Sequence, residues 1–456
     1  MGVYRALHHM GALAKLDAIS SVSGGTWASA VYMFGKDYQG VAIDTTTMLG
    51  PKTTPSELTM SKLSEPAAPM ARGVTQGNST ELAKQLFWQH RNSELWNRLV
   101  AELVLKPFGL EELDSYMAAS EAAVQRIKAE NPSLKDKKIV TPRADRPKLF
   151  VMNGALLAPK RYNTNGDSIV SFQMCPDYTG SPFYPGGCKE VFMPEVTYHA
   201  APICCVDPFW RPNISQVVGG GMIESFAFGK DSFRKSTQHS KNEAVGAPAQ
   251  GFSLAEAVGI SSYNPAPLLA STRLAAAIFS IQKQYWPVIS GKTQQTCPAR
   301  DFQFGDGGNL ENSGLLPLLQ RRAKNVIWVA NSYRPLSSSY DFESATPGSF
   351  DPEAAGVVES VSSVFGYGFN DVFEKNQLLG LVRQLAELKA AGKPAVIKET
   401  LHVLPNTYWG ITGGYAMNLV LIYLEEVRDF QDQLPQDIQM ELAKGSAGAF
   451  ANYPIY

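Results

Sequence analysis

The chain has 456 residues, and 44% of them are hydrophobic, which is enough for a sizeable core. The 41 basic and 42 acidic residues leave a net charge of −1, so no basic excess favours nucleic acid as a partner. Five cysteines are too few, and odd in number, for a disulfide scaffold, and no apolar run has the length of a membrane span.

The first predicted elements are a helix, a strand and a second helix. The apolar spacing of residues 1–16 predicts a helix, and residues 17–34 predict a short strand, a corner of small residues and another helix. An α/β domain normally has a strand before its first helix. We therefore expect a further N-terminal segment upstream of Met1.

Most of the remaining chain is predicted to alternate irregularly between helices and strands. The predicted helices are residues 81–104, 111–130, 253–260, 272–283, 371–391 and 416–427, and the predicted strands are 148–157, 169–174, 325–330 and 395–404. Polar or Pro-rich stretches near 36–75, 230–251 and 334–356 are predicted to be insertions. No internal repeat is present, so residues 1–456 are predicted to form a single α/β domain with these insertions.

The stretch around Ser23 is typical of a nucleophile elbow. Ser21-Val22-Ser23-Gly24-Gly25 lies between the first predicted strand and the second helix. A sharp turn there exposes the serine hydroxyl and directs the following backbone N–H groups at a developing oxyanion. The usual Gly-x-Ser-x-Gly pattern has a serine in place of its first glycine here. An ordinary glycine-rich turn whose serine caps a helix is the alternative reading.

Two residues are candidates for the base that a nucleophilic serine requires. Asp306 lies in Phe304-Gly305-Asp306-Gly307-Gly308-Asn309, where flanking glycines would expose an acid just before an apolar helix. Burial can raise a carboxyl pKa enough for the group to act as a base. His402, in the late predicted strand, is the histidine whose position fits a Ser-Asp-His order.

The elbow Val22-Ser23-Gly24-Gly25-Thr26-Trp27 and the block that begins Asp306-Gly307-Gly308 together resemble the patatin and cytosolic phospholipase A(2) superfamily, and most of all its cytosolic phospholipase branch. The resemblance implies a patatin-like three-layer α/β/α domain with a central, mostly parallel sheet. It also implies that Ser23 and Asp306 form a catalytic dyad without histidine, which hydrolyses acyl lipids through an acyl-enzyme.

The resemblance also assigns roles near the start of the chain. Tyr4-Arg5-Ala6 matches the end of the family's glycine-rich oxyanion motif. Gly2 and Val3 would then supply oxyanion N–H groups together with Gly24, and Arg5 would hold a phosphate or the oxyanion loop. Met1 and Val3 stand where the family has glycines, and losing one oxyanion donor typically costs about 100- to 1000-fold in rate.

The implied partners are a phospholipid or other acyl-lipid substrate and, transiently, a membrane surface, with no cofactor or metal ion. We expect a cytoplasmic or peripheral membrane location. Two alternatives remain open. The altered glycine run favours a weak or silent relative that binds lipid or protein, and a Ser-His-Asp esterase would depend on His402.

Overall fold

The chain is described by a computed structural model that contains two compact units. The structure describes residues 1–65, 68–75, 94–159, 162, 169–182, 195–199, 213–218, 221–229, 247–263, 281–285, 288–290, 300–368, 370–451 and 453. Unit 1 comprises Met1–Gly50, Ala68–Phe183 and Val191–Gly314, and unit 2 comprises Pro51–Ala67, Tyr184–Glu190 and Leu315–Tyr456. The single domain over residues 1–456 stays a prediction.

The described helices are mostly short. In chain order they are α1 (Gly2–His9), α2 (Gly24–Phe34), α3 (Thr45–Leu49), α4 (Met60–Ser64), α5 (Pro69–Thr75), α6 (Leu95–Val100), α7 (Glu121–Glu130), α8 (Leu254–Ser261), α9 (Leu316–Gln320), α10 (Glu359–Ser362), α11 (Lys375–Ala390), α12 (Arg428–Gln431) and α13 (Gln436–Leu442).

The described strands form one large sheet and several small ones. They are β1 (Ala18–Val22), β2 (Asp37–Tyr38), β3 (Val41–Ala42), β4 (Tyr116–Met117), β5 (Ile139–Val140), β6 (Leu149–Pro159), β7 (Val170–Met174), β8 (Tyr178–Ser181), β9 (Glu195–Tyr198), β10 (Ile214–Val218), β11 (Gly221–Glu224), β12 (Ile281–Tyr285), β13 (Val288–Ser290), β14 (Arg300–Asp306), β15 (Asn325–Ala330), β16 (Val396–Val403) and β17 (Tyr415–Tyr423).

The large sheet lies in unit 1 and overturns the predicted architecture. Its order is β11-β8-β7-β6-β14-β12, and β1 also pairs with β6. The β1–β6 pair is parallel, and the other pairs of this sheet are antiparallel. The sheet curls into a half-barrel. The prediction of a three-layer α/β/α domain around a central, mostly parallel sheet is therefore wrong.

A short connection determines the antiparallel pairing of β7 with β8. Parallel neighbours require a crossover of a dozen or more residues, whereas a hairpin requires only a few. Strands β7 and β8 are joined by Cys175–Asp177 alone, which permits only a hairpin. The sequence-based prediction took alternating helices and strands as a sign of such crossovers and underestimated how many strands follow one another directly.

Two helices pack against the large sheet near its junction with β1. Every residue of α8 is buried, and α2 is buried over most of its length. Gly154 allows the close approach of α8 to β6, because a Cβ at this position would lie 2.9 Å from Cγ2 of Ile260. Aromatic side chains fill the sheet interior, as in the pair Phe172–Phe304, whose ring centroids are 4.7 Å apart.

Unit 2 contains a three-stranded sheet in the order β15-β17-β16. Helix α11 packs against β16, and its buried residues include Leu378, Leu381 and Val382. The strands predicted at 325–330 and 395–404 are confirmed as β15 and β16. The helix predicted at 416–427 is wrong, because this stretch forms β17 with alternate side chains buried from Tyr415 to Tyr423.

Several other predicted boundaries also differ from the structure. The first helix ends at His9, since Gly11 adopts a φ of +65°. Only 121–130 of the helix predicted at 111–130 is helical, and it begins where the Ser120 side chain caps it. Residues 281–283 belong to a strand rather than to the helix predicted at 272–283. The rest of that helix, the first part of the helix predicted at 81–104 and most of the insertion at 230–251 lie outside the described residues.

Candidate active site

Two strands of unit 1 end side by side at the same edge of β6. β1 runs parallel to β6 and places Val22 opposite Asn153. β14 runs antiparallel to β6 and places Asp306 opposite Gly154, the next residue along. The two strands therefore approach this point from opposite directions, and Ser23 and Asp306 meet there.

Ser23 occupies the sharp corner between β1 and α2, as the sequence predicts. Its φ of 53° and ψ of −135° are unusual for a residue with a side chain, and such strain is common at functional sites. The Ser23 N–H donates to the carbonyl of Ser261 at 3.0 Å, and its carbonyl accepts from the Thr26 N–H at 2.9 Å. A Cβ on Gly24 or Gly25 would meet nothing within 4 Å, so open space lies beside the corner.

The side chains of Ser23 and Asp306 are hydrogen-bonded. The Ser23 hydroxyl donates to Oδ2 of Asp306 at 2.6 Å. The Gly308 N–H donates to Oδ1 at 2.8 Å, which fixes the carboxylate plane from the other side. The backbone of Asp306 is also held, because its N–H donates to the carbonyl of Tyr263 at 2.9 Å and its carbonyl accepts from Nδ2 of Asn309 at 3.0 Å.

Burial makes Asp306 more basic than an ordinary aspartate. Only 5% of the residue is exposed. Desolvation disfavours the ionised form and raises the pKa of Asp306, while the hydrogen bonds from Ser23 and Gly308 oppose part of that rise. A carboxylate with a raised pKa, in contact with a hydroxyl, is suited to accept the hydroxyl proton.

A second buried carboxyl, that of Glu311, lies in the turn that follows Asp306. It accepts hydrogen bonds from the N–H groups of Ser313 and Gly314, the latter at 3.0 Å. Burial raises the pKa of Glu311 to about 7. Glu311 was not predicted as a site residue, although an acid inside a Gly-, Asn- and Ser-rich turn is a recognisable turn-forming signal.

The predicted oxyanion residues lie at the starts of α1 and α2. Gly2 and Val3 form the first turn of α1, and Gly24 is the first residue of α2. The first N–H groups of a helix have no acceptor within it and are available to a ligand. In the described part of the chain, no hydrogen bond joins Gly2, Val3 or the half-buried Arg5 to Ser23 or Asp306.

Tyr4 joins α1 to the helix that follows Ser23. Its hydroxyl is 2.7 Å from Oγ of Ser29 on α2. Its ring stacks on Tyr32 with centroids 4.8 Å apart. The predicted oxyanion segment is thus attached to α2 about two turns beyond the serine corner.

His402, the alternative candidate for the base, lies in unit 2. It is an exposed residue of β16 in unit 2, where it pairs with Ala416. The hydroxyl of Ser23 donates to a carboxylate and not to a histidine. His8 and His9 bond to Thr46 and to the carbonyl of Gly50, respectively.

Two residues beside the dyad, Asn153 and Ser261, were not predicted from the sequence. The side-chain amide of Asn153 donates to the carbonyl of Ser21 and to Oγ of Ser20, both at 2.9 Å. The Ser261 hydroxyl donates to the carbonyl of Asn153 at 2.6 Å. A polar Asn-Gly pair inside the apolar stretch 149–158 was the available signal for Asn153, whereas Ser261 had none.

No known protein-family model matches the chain, and no curated protein matches it. Within the described ranges, no group of three or more His, Cys, Asp and Glu side chains is placed to hold a metal ion. None of the described helices combines the length and apolar character that a membrane span requires.

Proposed function

We propose that this chain is a serine ester hydrolase that acts on acyl lipids, with Ser23 as nucleophile and Asp306 as general base. The observation that carries the proposal is the 2.6 Å hydrogen bond from the Ser23 hydroxyl to Asp306, made at a strained corner between a strand and a helix. A positioned base typically contributes about 100- to 10,000-fold to rate.

In the first half of the proposed reaction, the Ser23 oxygen attacks the ester carbonyl carbon while Oδ2 of Asp306 takes the hydroxyl proton. The carbonyl electron pair moves onto oxygen, and the N–H of Gly24 donates to that oxyanion, with those of Gly2 and Val3 as further donors. Collapse of the intermediate breaks the ester C–O bond. The leaving alcohol takes the proton from Asp306, and an acyl-Ser23 ester remains.

In the second half, water attacks the acyl-Ser23 ester and gives its proton to Asp306. Collapse releases the carboxylic acid, and the Ser23 oxygen takes back the proton from Asp306. The same carboxylate therefore serves twice as base and twice as acid. Its raised pKa suits both directions of proton transfer.

The substrate class rests on the resemblance of the Ser23 and Asp306 blocks to the patatin and cytosolic phospholipase A(2) superfamily. We propose glycerophospholipids or related acyl esters as substrates, hydrolysed in the cytoplasm or at a membrane surface. Arg5, half-buried on α1, would contact the lipid phosphate.

Ester hydrolysis by matched variants tests this proposal. Phosphatidylcholine vesicles and a p-nitrophenyl acyl ester are the substrates, and Ser23→Ala and Asp306→Asn are expected to lose turnover. Asp301→Asn, on the same strand and bonded to Gln284, is the control and is expected to retain it. Loss of turnover in His402→Ala with Asp306→Asn still active would instead support the triad esterase.

The same assay on the wild-type protein distinguishes an enzyme from a catalytically silent relative, because only an enzyme releases fatty acid. Vesicle binding without release of fatty acid by the wild type would favour the lipid-binding relative. Hydrolysis of the p-nitrophenyl ester but not of phosphatidylcholine vesicles would support the Ser23–Asp306 dyad and would refute phospholipid as the substrate.

A further inference from the structure

The C-terminal end of α8 contacts the backbones of both dyad residues. The carbonyl of Ser261 accepts the N–H of Ser23 at 3.0 Å. The carbonyl of Tyr263, two residues further on, accepts the N–H of Asp306 at 2.9 Å. One short piece of chain therefore sets the positions of the nucleophile and the base relative to each other.

The Ser261 hydroxyl fastens this piece of chain to the sheet and to α2. It donates to the carbonyl of Asn153 at 2.6 Å. Oγ1 of Thr26 lies 2.8 Å from the Ser261 hydroxyl, and Oγ of Ser21 lies 3.1 Å from Oγ1 of Thr26. A carbonyl can only accept, so Ser261 donates to Asn153, Thr26 donates to Ser261, and Ser21 donates to Thr26.

This row of hydroxyls is buried, and each hydroxyl donates to the next one in the order Ser21, Thr26, Ser261. Ser261 and Thr26 are both 0% exposed, so water cannot replace a lost partner. The row ends at Asn153, which lies opposite Val22 on one strand, while its neighbour Gly154 lies opposite Asp306. The anchor of Ser261 is therefore the point at which the two catalytic strands meet.

The unusual backbone of Ser23 requires such an anchor. A strained conformation persists only where its surroundings impose it. We propose that Ser261 is a positioning residue: it holds Ser23 in its φ +53° conformation and thereby keeps the Ser23 hydroxyl within reach of Asp306. The kinetic consequence rests on the proposed hydrolase function, whereas the structural consequence does not.

Ser262 provides a matched control. It is the next residue, it is also buried, and its hydroxyl donates to the carbonyl of Val258 within α8 at 2.8 Å. It also accepts from Nε1 of Trp96 at 3.3 Å. Ser262→Ala therefore removes a hydroxyl from the same helix end without breaking the row that leads to Asn153.

Amide hydrogen exchange at Ser23 tests the positioning itself. In Ser261→Ala, exchange of the Ser23 N–H is expected to accelerate by about tenfold relative to the wild type and to Ser262→Ala. Thr26→Val keeps the shape of its side chain and removes the hydrogen bond to Ser261. This variant is expected to change exchange in the same direction, so the test stands if Ser261→Ala does not fold.

Fluorophosphonate labelling of Ser23 tests the kinetic consequence in the full chain. Ser261→Ala is expected to lower the maximal rate at which the fluorophosphonate modifies Ser23 by about 10- to 100-fold. The fluorophosphonate concentration that gives half of this rate is expected to stay the same, because the substitution changes the position of the nucleophile and not the binding of the probe. Ser262→Ala is expected to react like the wild type. Equal exchange and equal inactivation in the two serine variants would overturn the positioning role. A wild type that resists labelling, with exchange altered only in Ser261→Ala and Thr26→Val, would keep that role and refute the hydrolase.

Discussion

The hydroxyl of Ser23 donates a 2.6 Å hydrogen bond to Oδ2 of Asp306, although the two residues lie 283 positions apart in the chain. The contact exists because β1 and β14 end at neighbouring positions on the edge of β6. Because the hydroxyl bonds directly to the carboxylate, we propose that the serine proton passes to Asp306 without an intervening imidazole.

The pH dependence of ester hydrolysis is expected to reflect the burial of Asp306. Asp306 accepts a proton only when ionised, so kcat/KM falls as the pH drops through its pKa. Burial raises that pKa, and the acidic limb should have its midpoint above the ordinary aspartate value of about 3.9. The measurement is kcat/KM against pH, with circular dichroism at each pH to confirm folding. A midpoint at or below that ordinary value would contradict the assignment.

Gly307→Ala is expected to destabilise the protein and to disturb the dyad. A Cβ at Gly307 would lie 2.6 Å from the carbonyl oxygen of Asn153 and 3.0 Å from Cγ2 of Val22. Relief of such a clash by backbone movement typically costs about 1–3 kcal/mol. Urea unfolding measures this cost, and hydrolysis measures the effect on the dyad.

Gly380→Ala is the control for the glycine substitution. Gly380 is an exposed residue within α11, where an added Cβ would meet nothing within 4 Å. Alanine there should stabilise unit 2 by about 0.5–1 kcal/mol. Equal effects of Gly307→Ala and Gly380→Ala on unfolding would show that the close approach of Gly307 to Asn153 is absent.

The sequence predicted the local geometry around Ser23 better than the arrangement of the sheet. A strand, a serine corner and a helix follow from the order of apolar and small residues in 17–34, and the structure confirms them as β1 and α2. These are local features, which depend on residues that are close in the chain. The expectation that the flanking glycines expose Asp306 was wrong, because Asp306 pairs with β6 and only 5% of the residue is exposed.

The architecture depended on pairings that local patterns do not specify. One edge of β6 pairs first with β1, which runs parallel to it, and then with β14, which runs antiparallel to it. The sequence of residues 149–159 does not show that this edge is shared by two strands. β17 was mistaken for a helix because its apolar run suits either structure, and only its position between β15 and β16 decides. Asn153 and Ser261 acquire their roles through the same long-range pairings.

Glu311→Gln is expected to change how stability depends on pH. Burial raises the pKa of folded Glu311 to about 7, whereas its ordinary value is 4.5. Between these values the unfolded chain has released the proton and the folded chain retains it. Stability therefore falls as the pH rises through this window, by on the order of 3 kcal/mol, and the loss is complete above pH 7.

Urea unfolding between pH 4.5 and pH 8 measures the effect of Glu311. Glu311→Gln should flatten the decline, since glutamine does not titrate. An identical slope in Glu311→Gln and the wild type would contradict the raised pKa.

Two substitutions of Tyr4 separate its hydrogen bond from its ring. Tyr4→Phe removes the bond to Ser29, whose hydroxyl still donates to the carbonyl of Gly25, and should cost about 0.5–1.5 kcal/mol. Tyr4→Ala also removes the stack on Tyr32 and should cost about 3–5 kcal/mol. Thermal unfolding of both variants measures the difference. Equal losses would show that the ring does not contribute to holding α1 on α2.

The residue that forms a covalent adduct with a fluorophosphonate identifies the nucleophile. The intact chain is treated with a fluorophosphonate, digested and analysed by mass spectrometry, with Asp306→Asn and Asp301→Asn treated in parallel. We expect one adduct on Ser23 in the wild type and in Asp301→Asn, and at least about 100-fold slower modification in Asp306→Asn. An adduct on another serine, or unchanged labelling of Ser23 in Asp306→Asn, would contradict the Ser23–Asp306 dyad.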